Sequence, residues 1–290
     1  GDGYEDDSQV RGFRLRYLTS HANDLYGIYA FAAQDGLIEQ NYASGSGDAG
    51  IYVGRCEPCN TVVTANRMEH NGVGFVGTNA STGLVVASNA FRANRVGIAI
   101  NSQNLEKKAP QHDAVVVGNL VDGADAALSP AQGRGGFGLG IAIGGGRRDD
   151  IVRNRVVNQV GAGMVVTDLD GYAPQDVRIT ENELSANTVD IAAYRTQVES
   201  LPGDAMCLAG NTLVATSPAD LAVTHPCGPT VGSAIAALPP RFPSAPPGVA
   251  PAGLPTPPPG LVSMPAESLE SSDPVEAPVL PEVATIALPA

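Results

Sequence analysis

His112 and Asp113 stand side by side, and an imidazole next to a carboxylate is a unit able to move protons near neutral pH. Arg55 is the residue best suited to hold an acidic ligand, because a guanidinium grips a carboxylate through paired hydrogen bonds. Asn79 and Asn101 sit in comparable polar turns, and Tyr29 and Tyr52 offer an apolar platform to sugar rings. Asp168-Leu-Asp170-Gly171 has the opening of a calcium loop but lacks the later carboxylate ligands, so calcium at Asp168 and Asp170 competes with a plain Asp/Gly turn. No other metal or cofactor is expected.

Four cysteines complete the set, and their even number suggests two disulfides, Cys56–Cys59 and Cys207–Cys227 by nearest-neighbour pairing. The rival readings of Cys56-Glu-Pro-Cys59 are a redox pair and a zinc site. A redox thiol is activated at a helix N-terminus, and zinc needs two further ligands nearby. The stretch around Cys56 is a strand-to-strand turn with no histidine in it, which favours the staple.

Whether these side chains can meet depends on the elements that carry them. Runs of Gly followed by apolar residues start at Gly27, Gly50, Gly74, Gly97, Gly140 and Gly163, in steps of 23, 24, 23, 43 and 23 residues. A second register is set by apolar runs that end in Asn41, Asn66, Asn89, Asn119, Asn154, Asn182 and Asn211. A short third run follows each, closed by a second polar residue such as Asn71, Asn94, Asn158 or Asn187. Three short strands and three turns per repeat predict an all-β fold, a right-handed parallel β-helix of about seven to eight rungs. No apolar period near 3.6 supports helices, and no fixed leucine offsets support a leucine-rich repeat. In this fold Ile28, Ile51, Phe75, Ile98, Ile141 and Met164 form one inward column. The recurrent Asn is expected to occupy the left-handed conformation at a sharp bend, with its amides stacked into a ladder.

The turns that join the Gly-type strand to the Asn-type strand, at 32–35, 54–59, 77–82, 101–113, 144–150 and 167–175, share one flank of such a solenoid. They are the longest and most variable, and insertions of this kind tend to mark a binding face. The candidate site therefore falls there, with Arg55, Asn79, Asn101, His112 and Asp113 on the turns and Tyr29 and Tyr52 on adjoining strands.

Composition bounds the partners. Thirty acidic residues outnumber 17 basic ones, for a net charge of −13, which argues against nucleic acid and anionic membranes. No run of 18 apolar residues occurs, so no transmembrane helix is expected. The solenoid is placed at residues 1–228, with an acidic Gly1–Asp7 start and no N-terminal capping segment. Residues 229–290 hold 16 prolines and read as an acidic, disordered tail, either a surface tether or a terminus without a role.

Several stretches together, Tyr26-Gly-Ile-Tyr-Ala-Phe31, the run from Tyr42 to Gly54, the Cys56–Cys59 turn, Asn71 to Asn79 and Arg95 to Asn101, resemble a secreted right-handed β-helix-repeat family of high-G+C bacteria. More broadly the repeats resemble the superfamily of pectate lyases, polygalacturonases and alginate epimerases. The resemblance spans about Arg11 to Cys227 and implies fold and export to the cell surface or beyond, not an activity. Asp149-Asp150 stands without the Gly-His-Gly turn of polygalacturonases, and Ser20-His-Ala-Asn-Asp24 departs from the epimerase Asp-Pro-His-Asp motif at its first two positions. Two expectations follow. One is an extracellular β-helix that binds glycan or another surface partner along its loop flank; the other is a polysaccharide lyase or uronate epimerase.

Overall fold

In the computed structural model, which describes residues 9–130, 136–265 and 276–290, the chain winds as a parallel β-helix of eight turns. Three sheets run its length. The first stacks Val10–Arg16, Ala33–Glu39, Thr61–Thr64, Leu84–Ala87, Ala114–Val117, Asp150–Val152, Val177–Thr180 and Met206–Ala209. The second stacks Thr19–His21, Tyr42–Ser44, Arg67–Glu69, Ala90–Arg92, Leu120–Asp122, Arg155–Val157 and Glu183–Ser185. The third stacks Ile28–Phe31, Ala49–Cys56, Val73–Ala80, Val96–Asn101, Leu139–Gly144, Ala162–Thr167, Val189–Tyr194 and Thr216–Ser217. The acidic stretch Gly1–Asp7 lies outside the described residues.

Alternation of side chains along each strand builds the core. Ile28, Ile51, Phe75, Ile98, Ile141 and Met164 pair in register up the third sheet, Ile191 extends the column, and all are buried. Fully burying one such side chain contributes about 1.5–3 kcal/mol. The glycine that precedes each of the first six members has a steric reason; Asp190 stands at that place before Ile191. A Cβ on Gly27, Gly74 or Gly97 would stand 2.6 Å from the carbonyl oxygen of Gly50, Gly97 or Gly140, one rung further along. The rungs approach so closely there that only glycine fits.

The seven Asn residues form one continuous ladder. Each side-chain Oδ1 from Asn66 onward accepts from both the backbone N–H and the Nδ2 of the preceding member, at 2.8–3.0 Å. Their conformation differs from expectation. The left-handed residue is the one before each Asn: Gln40, Ala65, Ser88, Gly118, Arg153, Glu181 and Gly210 have φ between 48° and 65°. The preceding residue thus makes the bend, at about 1–2 kcal/mol when it is not glycine, and frees the Asn to aim its amide along the stack. A shorter ladder marks the next corner, where Asn71 donates to Asn94. There the position expected for Asn158 belongs to Gln159, while Asn158 is itself left-handed.

Extra chain accounts for the 43-residue step. One insertion, 101–113, separates the third-sheet strand Val96–Asn101 from Ala114–Val117. Another follows Leu120–Asp122 and includes a 3₁₀ turn at Ala126–Leu128. Both disulfides are formed, Cys56–Cys59 inside a third-flank turn and Cys207–Cys227 across the last rung. The single α-helix among the described residues is Leu221–Thr224, and no helix there is long and apolar enough to cross a membrane.

Beyond Pro229 the described residues hold no strand, only 3₁₀ turns at Pro251–Gly253 and Val283–Thr285, as proline-rich composition dictates. Single apolar residues of this stretch nevertheless touch the solenoid. Ile235 and Leu254 are buried, Phe242 packs on the third sheet, and Val283 and Ile286 pack on Val85, Ala87, Val117 and Val152 of the first. Apolar residues spaced among the prolines find apolar outer faces of the solenoid. Glu267, Glu270 and Asp273 lie outside the described residues.

Candidate functional site

Outward-facing residues of the third sheet make the floor of a cleft of about 670 Å³. Tyr52, Val76, Ala99 and Ala142 follow one another in register along it, one per rung at about 4.8 Å. Gln103, Leu105 and Glu106 from the 101–113 insertion form one wall, joined by Leu169 and Asp170; Tyr26 and Asp48 stand at the near end. Asn101 and Thr78 are bonded to each other at 2.8 Å within it.

An aromatic ramp leads into this cleft. Tyr29 stacks on Tyr52 with ring centroids 5.0 Å apart, and Tyr26 lies 4.8 Å from Tyr29. Tyr29 is 46% exposed whereas Tyr52 is 5% exposed, so the first ring is presented to solvent and the second supports it. The Tyr52 hydroxyl donates to the Glu106 carboxylate. Burial, then the Glu106 charge, push the Tyr52 phenol far above its ordinary range. Burial also pushes the Glu106 carboxyl up, against the Tyr52 hydrogen bond and the Arg55 charge, which favour its ionised form. Its other oxygen, Oε2, is buried with no hydrogen-bond partner among the described residues.

The remaining sequence-derived candidates are dispersed. Arg55 is buried, left-handed at φ 54°, with its guanidinium 5.7 Å from the Phe31 ring, so the expected carboxylate clamp is turned away from solvent. Asn79 is likewise buried, its amide donating to the carbonyls of Gln103 and Glu106 and its oxygen accepting from the Gln103 N–H. It fastens the insertion and leaves nothing for a ligand. Tyr52 and Asn101 line the cleft, and Tyr29 stands outside its lining, stacked on Tyr52.

His112 and Asp113 are bonded to each other at 2.7 Å, but outside the cleft lining. The second imidazole nitrogen faces Glu57 at 3.1 Å, and Arg148 bonds both Asp113 oxygens at 2.8 Å. The Arg148 pair, more than the imidazole, holds the Asp113 carboxyl below its ordinary value. With both ring nitrogens and both carboxylate oxygens engaged, this cluster ties the 54–59, 101–113 and 144–150 turns together.

The acidic turn at 168–171 also has a local explanation. Burial pushes the Asp168 carboxyl up, but N–H groups donated by Thr196, Gln197 and Val198 outweigh it and hold the group below its ordinary value. Asp170 accepts from the Asn104 N–H at 3.0 Å, closing the cleft wall. Asp168 is thus filled by the donors of one turn and does not fit a calcium ligand. Among the described residues no three His, Cys, Asp or Glu side chains converge on a common point as metal ligands.

Two residues escaped sequence reasoning. Glu106 lies in an insertion without periodicity, and only its place as one of two acids, with Asp113, in the longest turn of the loop flank could have flagged it. Asp149 is fully buried, with its carboxyl pushed up to about 7 by desolvation despite bonds from Gln111 and the Ala114 N–H. Its position beside Asp150 was the signal, since adjacent residues on a strand cannot both face solvent.

Comparison with known proteins agrees with this architecture. No curated protein matches the chain in sequence. Among solved structures, the A-module of a mannuronan C-5 epimerase from Azotobacter vinelandii superposes with a TM-score of 0.50 at 16% identity, over 72% of this chain and 55% of that one. A periplasmic alginate epimerase superposes with a TM-score of 0.47, also at 16% identity, over 71% of this chain and 47% of that one. The chain therefore spans about half the length of these structures, and at such identity the likeness is one of fold. The family model described as right-handed β-helix region matches residues 5–184, more than half of the chain, and the protein belongs to that family.

Proposed function

We propose that the protein is a glycan-binding β-helix that receives an extended chain lengthwise in the third-sheet cleft. The observation that carries this reading is the alignment of an aromatic ramp, Tyr26, Tyr29 and Tyr52, with an apolar floor that repeats at each rung and a polar rim of Asn101, Gln103 and Asp170. Stacked rings suit the apolar face of a sugar, and a linear run of equivalent positions suits a polymer. A smaller cavity of about 460 Å³ beside Cys207–Cys227 has no Tyr, Phe or Trp in its lining. Two disulfides support an oxidising compartment, at the cell surface or outside the cell.

A second reading, a polysaccharide lyase or uronate epimerase, is favoured by the Tyr52–Glu106 pair, a phenol and a carboxyl of raised pKa within one cleft. Such chemistry also needs a cation to neutralise the substrate carboxylate, and the described lining residues include no Arg, Lys or His. That difference favours binding over turnover.

The test is a glycan array, with neutral and uronate polymers, on the wild type beside Tyr29→Ala and Glu106→Gln. Tyr29→Ala is expected to weaken binding about tenfold, the loss of one stacked ring. Undiminished binding in Tyr29→Ala would remove the cleft from consideration. An unsaturated or epimerised product made by the wild type and lost in Glu106→Gln would turn the reading to enzyme.

A further inference from the structure

The proline-rich tail returns along the solenoid from its last rung towards its first, across the third sheet at Phe242 and then along the corner between the second and third sheets. It leaves through an antiparallel bridge of Ile235 with Leu201, at 2.8 and 3.0 Å. The Arg195 N–H then donates to Ala237, and Phe242 sits against Tyr194 of the seventh third-sheet strand with centroids 5.8 Å apart. Arg95, just before the fourth strand, donates 2.9 Å hydrogen bonds to the carbonyls of both Pro246 and Pro247. The Val249 N–H bonds Ser129, and Leu254 is buried against Gly45 in the second rung.

This path touches the cleft itself. Phe242 packs on Ala162, Val165, Ala192 and Tyr194, and so do Leu139 and Ala142, two residues that line the cleft. The outer face of the third sheet is therefore one continuous strip, floor of the cleft over Tyr52, Val76, Ala99 and Ala142 and covered by Phe242 over Val165 and Ala192. We propose that residues 235–254 are a displaceable strap, and that a glycan long enough to outgrow the open part displaces Phe242–Pro247 and takes over Arg95. This rests on the reading of the cleft as a glycan site.

Physical chemistry favours displacement over permanent docking. A proline-rich segment is already extended, so it docks at little entropic cost, but it has few N–H groups to donate and holds on at scattered points. Arg95 is buried, desolvated enough to lower its pKa, and it spends its donors on neutral carbonyls. A carboxylate or a pair of hydroxyls from the glycan would satisfy the same donors, a carboxylate more strongly. With the strap displaced, Arg95 supplies the cation that the described cleft lining lacks. The stretch 229–265 carries a single charged residue, Arg241, so strap docking itself is expected to be insensitive to salt.

The test uses the full chain as wild type, Phe242→Ala and Arg95→Ala, in two arms. Hydrogen exchange without glycan reads the strap: the Arg195 and Val249 amides are expected to be protected in the wild type and at least tenfold faster in Phe242→Ala. Absent protection in the wild type, or equal protection in both, overturns the strap. Affinity against oligosaccharide length reads the gate. Phe242→Ala is expected to gain about tenfold for long oligomers and nothing for short ones, whereas Arg95→Ala frees the strap without that gain. The same length dependence in wild type and Phe242→Ala overturns the gate and leaves the glycan site standing. If no glycan binds either protein while exchange behaves as expected, the reading of the cleft falls and the gate with it, and only the docked tail remains.

Discussion

Asp149 offers a sharp test of the packing beneath the 101–113 insertion. Its Oδ1 accepts from Gln111 Nε2 at 2.9 Å and from the Ala114 N–H at 2.8 Å, while its Oδ2 and Gln111 Oε1 are buried without partners among the described residues. Two unpartnered acceptors on groups already joined at one side imply a protonated carboxyl, whose O–H completes the pair by donating to Gln111. Burial, with the charges of Asp113 and Asp150 adding to it, raises the carboxyl from 3.8 to about 7. A folded-state pKa above the unfolded value makes the contribution fully present below about pH 4 and lost as pH rises towards 7. Three pH units correspond to about 4 kcal/mol. Asp149→Asn imitates the protonated form at every pH, because its amide donates where the O–H did. Urea unfolding at pH 4 to 8, with a constant slope, should find the two proteins equal near pH 4 and the variant more stable by up to about 4 kcal/mol at pH 8. Groups that titrate alike in both cancel in the difference. A variant that is less stable than the wild type by the same amount at every pH would refute the protonated pair.

The other predictions follow from named contacts. Asn119→Ala removes the acceptor for two Asn89 donors and takes the Nδ2 donor from Asn154 Oδ1, leaving it the backbone N–H alone, at a cost on the order of 4 kcal/mol, measured by chemical denaturation. Asn211→Ala, at the half-exposed end of the ladder, should cost clearly less, and equal losses would contradict a continuous buried ladder. Replacing Cys207 and Cys227 by serine opens a loop of 20-residue separation and should cost about 3 kcal/mol under oxidising conditions, with no difference between variant and wild type once both are reduced. His112→Ala should loosen the turns without weakening glycan binding, since the cluster lies outside the cleft lining; abolished binding in a folded variant would return the site to the loop flank.

Much of the fold was legible because a solenoid repeats its instructions. Gly27 to Gly163 mark where rungs touch backbone to backbone, Asn41 to Asn211 mark a buried corner, and the short run after each Asn marks the remaining strand, so periodicity alone located all three sheets. The left-handed residue before each Asn was not legible, since Gln40, Ala65, Ser88 and Arg153 share no side-chain property. The candidate site divided along the same line. Tyr29, Tyr52 and Asn101 lie on strands whose alternation fixes their face; Tyr52 and Asn101 line one cleft and Tyr29 stacks on Tyr52 beside it. Arg55 and Asn79 sit where the chain turns and alternation stops, and both are buried under neighbouring groups, Arg55 against Phe31 and Asn79 beneath the 101–113 insertion. Glu106 and the docking of the tail depend on contacts between segments far apart in the chain, through carboxyl oxygens and proline carbonyls that leave no periodic trace.

The central claim is that the third-sheet cleft is the ligand site. NMR titration of alanine and valine methyl groups, with an oligosaccharide that the array identifies, tests it directly. Binding in the cleft should shift Val73, Val76, Val96, Ala99 and Ala142 first, with Val165 and Ala192 following only for oligomers long enough to displace Phe242. Shifts confined to Ala114 and Val115 beside the His112 cluster, or to Val231 by the Cys207–Cys227 cavity, would contradict the account.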